Sequence, residues 1–126
     1  MHIQKQIDYW RQSGQKDFEV AGIIMEKGHF LHAMFFAELA LEKMLKAHVV
    51  AATGEVPPKS HDLLRLAGLA LIALSDEKRL FLARMQQYCL EGRYPENLDA
   101  MPSREEAEKA FKDCGETLSW LNSLFK

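Results

Sequence analysis

The residues best suited to chemistry in this 126-residue chain are histidines and carboxylates that recur at helical spacing. His29 and His32 form an HxxH pair, which on a helix would place two imidazoles on one face for a metal ion. The chain does not repeat the ExxH pairs of a di-iron bundle, so we interpret these histidines as surface or capping residues. Glu38 and Glu42 lie one turn apart and could serve as paired carboxylates, but Glu42 is also spaced to pair with Lys46. These patterns predict no metal site, no cofactor and no catalytic residue.

A core helix is predicted from Phe30 to Ala52, and it carries both carboxylates. The stretch is apolar around most of its circumference, and at its length of roughly 34 Å it could cross a bilayer. Charged residues in its middle would each cost a few kcal/mol in hydrocarbon, which argues against a membrane span. A helix this apolar must be covered on nearly every side, either by other helices of the chain or partly by a second copy.

A first helix is predicted before the core helix, because apolar residues recur at three- and four-residue steps from Ile3 to Met25. Gly14 interrupts this stripe, and we expect a bend or a frayed first turn there. Gly28 ends the first helix and Gly54 ends the core helix, since glycine is the residue that best tolerates the left-handed conformation at that position.

Three further helices are predicted after a pair of prolines. Ser60 is expected to cap the third and Ser75 to begin the fourth, while Ser103 and Glu106 form a capping box for the fifth. Residues 92–102 contain two prolines and no periodicity, which predicts the longest loop. The buried surface of the third helix is expected from the leucines between Leu63 and Leu74, and that of the fourth from Leu80, Phe81, Met85, Tyr88 and Leu90. We therefore predict an all-α fold, an antiparallel up-and-down bundle of four to five helices.

The composition fits a single domain spanning residues 1–126, because 48% of the residues are hydrophobic and 27% are charged. The formal charge of −2 gives no overall field that would attract nucleic acid or anionic lipid. Cys89 and Cys114 lack CxxC spacing, so we expect buried structural thiols and a reducing cytoplasm as the compartment.

Three segments carry a resemblance to a known family. They are the A-x-EK-x-x-KA arrangement from Ala40 to Ala47 with Glu42, Lys43 and Lys46, the segment from Ser60 to Leu63, and Tyr88 followed by Arg93-Tyr94-Pro95. In that order and at that spacing the chain resembles the HEPN domain, a helical bundle whose name records a proposed nucleotide-binding role. The resemblance covers nearly the whole chain, from Trp10 to about Leu121.

This resemblance implies a four- to five-helix bundle that usually forms homodimers and is often encoded beside a small nucleotidyltransferase. Some members are ribonucleases and toxins, and these carry an arginine followed about four to six residues later by a histidine. The present chain has no histidine after His61, so this motif is absent. Cleavage through the RNA 2′-hydroxyl needs an acid or base that titrates near neutrality, and the predicted loop offers none.

The matching positions instead suggest an anion or nucleotide site. The guanidinium of Arg93 offers a planar fork for phosphate, and the rings of Tyr94 and Tyr88 offer faces for a base. Further positive charge would come from Lys43, Lys46 and His61. Pro95 restrains Tyr94 to an extended backbone, which makes Arg93 and Tyr94 the first candidates.

Each of these residues also has a structural interpretation, which the sequence leaves open. Lys43 and Lys46 could form the solvated edge of a buried helix. His61 and Asp62 could cap the third helix, and Arg93 could pair with Glu96 or brace the loop.

Two functional classes follow from the resemblance. The first is a non-catalytic homodimeric module that binds a nucleotide or a phosphate-bearing ligand, or docks a nucleotidyltransferase partner. The alternative is a ribonuclease toxin of a toxin–antitoxin pair that uses non-standard residues. The missing arginine–histidine motif favours the first class.

Overall fold

The computed structural model describes residues 2–89 and 101–125, which form five α-helices and no strand. The helices are α1 (Ile3–Glu26), α2 (Phe30–Thr53), α3 (Leu63–Leu69), α4 (Asp76–Met85) and α5 (Arg104–Ser123), and a single 3-10 turn, Gln86–Tyr88, follows α4. The predicted all-α bundle is confirmed.

Helix α2 is the centre of the bundle, as its apolar sequence predicts. It contacts α1, α3, α5 and the 3-10 turn, and every residue from Met44 to Val50 is buried. The described helices of the chain therefore supply much of the cover that so apolar a helix requires. In residues 2–89 and 101–125, no helix is long and apolar enough to cross a membrane.

Helix α1 runs without interruption through Gly14 beside α2, so the expected fraying there is wrong. Gly14 is buried, and a Cβ atom added to it would lie 3.1 Å from the Ala40 carbonyl oxygen and 3.3 Å from Lys43 Cβ. The absence of a side chain here lets the two helices approach closely. Gly28 and Gly54 have φ of 80° and 70°, which confirms the left-handed helix ends predicted for them.

Helix α3 is shorter than predicted, and of the expected caps it is Asp62, not Ser60, that caps it. It begins at Leu63, where the side chain of Asp62 accepts a hydrogen bond from Arg65 N at 3.2 Å, and it ends at Leu69. Ser60 instead accepts from Asp62 N at 3.2 Å, two residues before the position that caps the helix. The chain then turns at Leu71, which has φ of 60° and is 83% exposed, so the leucine pattern does not continue the helix.

Helices α4 and α5 begin where their caps predict. Ser75 accepts from Lys78 N at 3.2 Å, and Ser103 and Glu106 form the reciprocal capping box. Leu80 is 64% exposed, however, so its assignment to the inner face is wrong. The buried face of α4 instead consists of Phe81, Leu82 and Met85.

Candidate functional site

The most buried polar cluster in the described chain centres on Glu42, in the middle of α2. One carboxylate oxygen, Oε2, accepts a hydrogen bond from Lys46 Nζ at 3.0 Å, and the other, Oε1, lies 3.0 Å from His61 Nδ1. The side chains of Glu42 and Lys46 are only 4% and 8% exposed, whereas that of His61 is 34% exposed. Lys46 also lies 5.4 Å from the centroid of the Trp10 ring, a cation–π distance. The predicted Glu42–Lys46 pair is confirmed.

His61 is held in place by the segment that follows α4. Gln86 Nε2 donates to the His61 carbonyl oxygen at 2.5 Å, and Gln86 Oε1 accepts from Leu63 N at 2.7 Å. A single amide side chain thus ties the 3-10 turn to the backbone just before α3. The turn ends at Tyr88, and the next residue, Cys89, has its sulfur within 4.8 Å of ligand atoms of Glu42 and His61.

Lys43 belongs to a different contact from Lys46, although only three residues separate them. Its Nζ forms an ion pair with Asp17 Oδ2 at 2.7 Å and donates to Ser13 Oγ at 2.8 Å. This contact joins α1 to α2 on the face beside Gly14. The structure therefore does not bring Lys43 together with Lys46 and His61, and both lysines are paired with carboxylates rather than solvated.

Glu38, one turn before Glu42, is 1% exposed, and its Oε1 has no hydrogen-bond partner in the part of the chain that the structure describes. Burial, and after it the charge of Glu42, raise the pKa of Glu38 to about 8, while Lys46 acts in the opposite direction. Glu38 is therefore mainly protonated at neutral pH. Burial also raises the pKa of the Cys114 thiol, which donates to the Ala37 carbonyl oxygen.

Tyr88 is buried and lines a second feature, a groove between α4 and α5 with a volume of about 140 Å³. Two cationic side chains share this groove with Tyr88, namely Arg84 of α4 and Lys109 of α5. The groove adjoins a cavity of about 240 Å³ that shares these two cations and includes Trp120. We call the two volumes together the α4–α5 groove.

Neither cationic residue of the α4–α5 groove, Arg84 or Lys109, was a candidate from the sequence. Both residues lie outside the segments that carried the family resemblance. They line one groove because of the positions of α4 and α5 in the fold. The position of Cys89 beside Glu42 and His61 was likewise not predicted from the sequence. Cys89 and Cys114 are both buried, as expected for them.

One family model, that of the HEPN domain, matches residues 7–124, which is nearly the whole chain. The chain belongs to the HEPN domain family. Neither a curated protein nor a solved structure matches it.

In this HEPN domain, the candidate ligand residues fall into four groups, one of which is Lys43 alone, paired with Asp17 of α1. Lys46 and His61 meet at Glu42, and Tyr88 lies in the α4–α5 groove. Arg93 and Tyr94 lie outside the described residues 2–89 and 101–125.

Proposed function

We propose that this HEPN domain is a non-catalytic module that binds a nucleotide or another phosphate-bearing ligand in the α4–α5 groove, as a homodimer. The observation that carries the proposal is the position of Tyr88, a candidate from the sequence, beside Arg84 and Lys109 in one groove. A guanidinium and an ammonium group are suited to phosphate, and aromatic rings are suited to a base.

Arg84 is the residue of the groove best suited to an anion. Within the described residues it forms no ion pair, whereas Lys109 is paired with Asp113 at 2.9 Å. Glu106 also lines the groove, but its carboxylate accepts a hydrogen bond from Ser103 N at the start of α5. Hydrogen bonds with Ser103 lower the pKa of Glu106. The carboxylates of Glu77, Asp113 and Glu116 also line the groove, so the anion contact depends on the guanidinium of Arg84, which can bind a phosphate through two parallel hydrogen bonds.

The adjoining cavity offers room and an aromatic surface for the rest of a ligand. Trp120 lies in its wall, and the Lys78 ammonium is 4.6 Å from the centroid of the Trp120 ring. Phe81 lines both parts of the groove. A ligand with a phosphate near Arg84 would thus meet rings on both sides, which suits a nucleotide better than inorganic phosphate.

Homodimer formation is supported by the family and by the surface. HEPN proteins commonly dimerise. The turn between α3 and α4 exposes Leu71 at 83%, and α4 exposes Leu80 at 64%. Exposed leucines close together in sequence are consistent with a contact surface, either with a second copy or with a nucleotidyltransferase partner.

The binding proposal is tested by calorimetric titration of ATP, ADP and inorganic phosphate into the purified chain. Arg84→Ala should weaken nucleotide binding by about tenfold or more, and Arg84→Lys should restore only part of it, because lysine lacks the planar fork. Arg79→Ala is the matched control, since Arg79 is an exposed arginine of α4 that does not line the groove. Equal nucleotide affinity in wild type, Arg84→Ala and Arg79→Ala would contradict the proposal.

One observation favours the second function, a ribonuclease with non-standard residues. The Glu42 carboxylate lies 3.0 Å from His61 Nδ1, and such a carboxylate can orient an imidazole for proton transfer through its other nitrogen. RNA cleavage by the purified chain that is lost in His61→Ala and kept in His32→Ala would support this function. Intact RNA after prolonged incubation with the wild-type protein would exclude it under those conditions.

A further inference from the structure

We propose that Glu42, His61 and Cys89 form a three-ligand site for Zn²⁺. A carboxylate oxygen, an imidazole nitrogen and a thiol sulfur from these residues all lie within 4.8 Å of one another. Three different elements contribute them: the middle of α2, the segment before α3, and the residue after the 3-10 turn. This inference does not rest on phosphate binding in the α4–α5 groove.

The chemistry of the three donors fits zinc better than a hard cation. Zn²⁺ binds thiolate, imidazole and carboxylate ligands at about 2.0–2.3 Å, whereas Mg²⁺ and Ca²⁺ prefer oxygen ligands alone. Glu42 Oε1 and His61 Nδ1 are already 3.0 Å apart, so small side-chain rotations would place both around one ion. The carboxylate and the thiolate would supply two negative charges to the ion, although the carboxylate also faces the Lys46 ammonium 3.0 Å away, so the thiolate is the ligand whose charge goes to the ion alone.

The surroundings hold the donors in orientation. Lys46 hydrogen-bonds Oε2 of Glu42, which leaves Oε1 turned toward His61 and Cys89. Gln86 fixes the backbone at His61 and lies in the turn that ends beside Cys89. Such partners of the metal ligands commonly tune affinity, because they restrict the ligands to the coordinating geometry.

Burial and access also suit a bound ion. Glu42 and Cys89 are buried, whereas the side chain of His61 is 34% exposed and gives the ion a way in from solvent. Three protein ligands leave a fourth position for water, as in zinc sites that are open to an incoming molecule. In the metal-free chain the Glu42–His61 hydrogen bond satisfies the same two atoms, so folding does not require the ion.

The experiment is titration of the metal-free, reduced full-length chain with Co²⁺, followed by competition with Zn²⁺. Cobalt reports its ligands, because a bound thiolate gives a strong charge-transfer absorption in the near ultraviolet. We expect this absorption in the wild type at one ion per chain and its displacement by Zn²⁺. Cys89→Ser should abolish it, and His61→Ala should weaken Co²⁺ binding by at least about tenfold.

Two matched variants serve as controls. Cys114→Ser removes the other buried thiol, and His32→Ala removes an exposed histidine of the HxxH pair. Both should keep the absorption and the affinity, and circular dichroism should show that every variant is folded. The proposal is overturned if the wild type gives no thiolate absorption, if the absorption persists in Cys89→Ser, or if His61→Ala binds as tightly as His32→Ala. Should Cys89→Ser not fold, the comparison of His61→Ala with His32→Ala decides alone.

Discussion

Lys46 Nζ and Glu42 Oε2 lie 3.0 Å apart, one turn from each other on α2, and both side chains are almost completely buried. This pair removes the positive charge of Lys46 from solvent and keeps the negative charge of Glu42 compensated. A buried ion pair need not stabilise a fold relative to apolar residues, but breaking it leaves a buried charge without a partner.

The first prediction concerns this pair. Lys46→Met should lower the free energy of unfolding by about 3–5 kcal/mol, because among residues 2–89 and 101–125 it leaves the buried Glu42 carboxylate with His61 as its only hydrogen-bond partner. The double change Glu42→Leu with Lys46→Met should recover much of the loss, and urea unfolding measures both. Equal stability of Lys46→Met and the wild type would contradict the assigned pairing.

The second prediction concerns the pH dependence of stability through Glu38. Its pKa is raised from 4.5 to about 8 in the folded protein, so between these values the folded chain holds a proton that the unfolded chain has released. The contribution of Glu38 to the free energy of unfolding is therefore largest below about pH 4.5. This contribution is lost as the pH rises to about 8, by up to about 1.4 kcal/mol per pH unit.

Glu38→Gln should remove this dependence, because glutamine is neutral at every pH. Urea unfolding at pH 5, 7 and 9 should show the variant gaining stability relative to the wild type as the pH rises. Glu108→Gln, at an exposed position on α5, is the control and should follow the wild type. Parallel pH profiles for wild type and Glu38→Gln would show that Glu38 is not a buried neutral acid.

The third prediction concerns the close approach of α1 and α2 at Gly14. Gly14→Ala should destabilise the fold by about 1–3 kcal/mol, because the new Cβ lies within 3.1 Å of a carbonyl oxygen that belongs to the α2 backbone. Gly68→Ala is a matched control within α3, where a Cβ meets nothing within 4 Å, and it should stabilise by up to about 1 kcal/mol. Thermal unfolding of the two variants would give shifts of Tm with opposite signs.

The fourth prediction separates folding from assembly at Leu71. Asparagine tolerates the left-handed conformation better than leucine and carries no apolar surface. Leu71→Asn should therefore keep or raise Tm while weakening the homodimer. Ile23→Asn is the control, because Ile23 is also exposed but lies on α1, and this variant should leave assembly unchanged. Light scattering at micromolar concentration measures the oligomeric state. A monomeric wild-type protein under these conditions would contradict homodimer formation.

The parts of the fold that depend on local sequence could be predicted. The apolar circumference of α2, the left-handed Gly28 and Gly54, and the capping box at Ser103 each depend on residues within a few positions of one another. The end of α3 could not be predicted, because the leucine spacing continues through Leu71 although the backbone turns there.

The candidate site was less accessible to sequence reasoning, because its decisive contacts join distant residues. Lys43 appeared able to act with Lys46, but Asp17 on α1 draws it to another face. Arg84 and Lys109 line the same groove only because of where the fold places α4 and α5. Neither arrangement leaves a periodic signal in the sequence.

The most direct test of nucleotide binding in the α4–α5 groove is a map of backbone amide chemical-shift changes during titration of the isotope-labelled protein with ATP. The account predicts that, among residues 2–89 and 101–125, the largest changes cluster on the groove-lining parts of α4, the 3-10 turn and α5, around Arg84, Tyr88 and Lys109. Inorganic phosphate should shift fewer amides, mainly near Arg84. Changes concentrated elsewhere on the described chain, or no change at millimolar ATP, would contradict it.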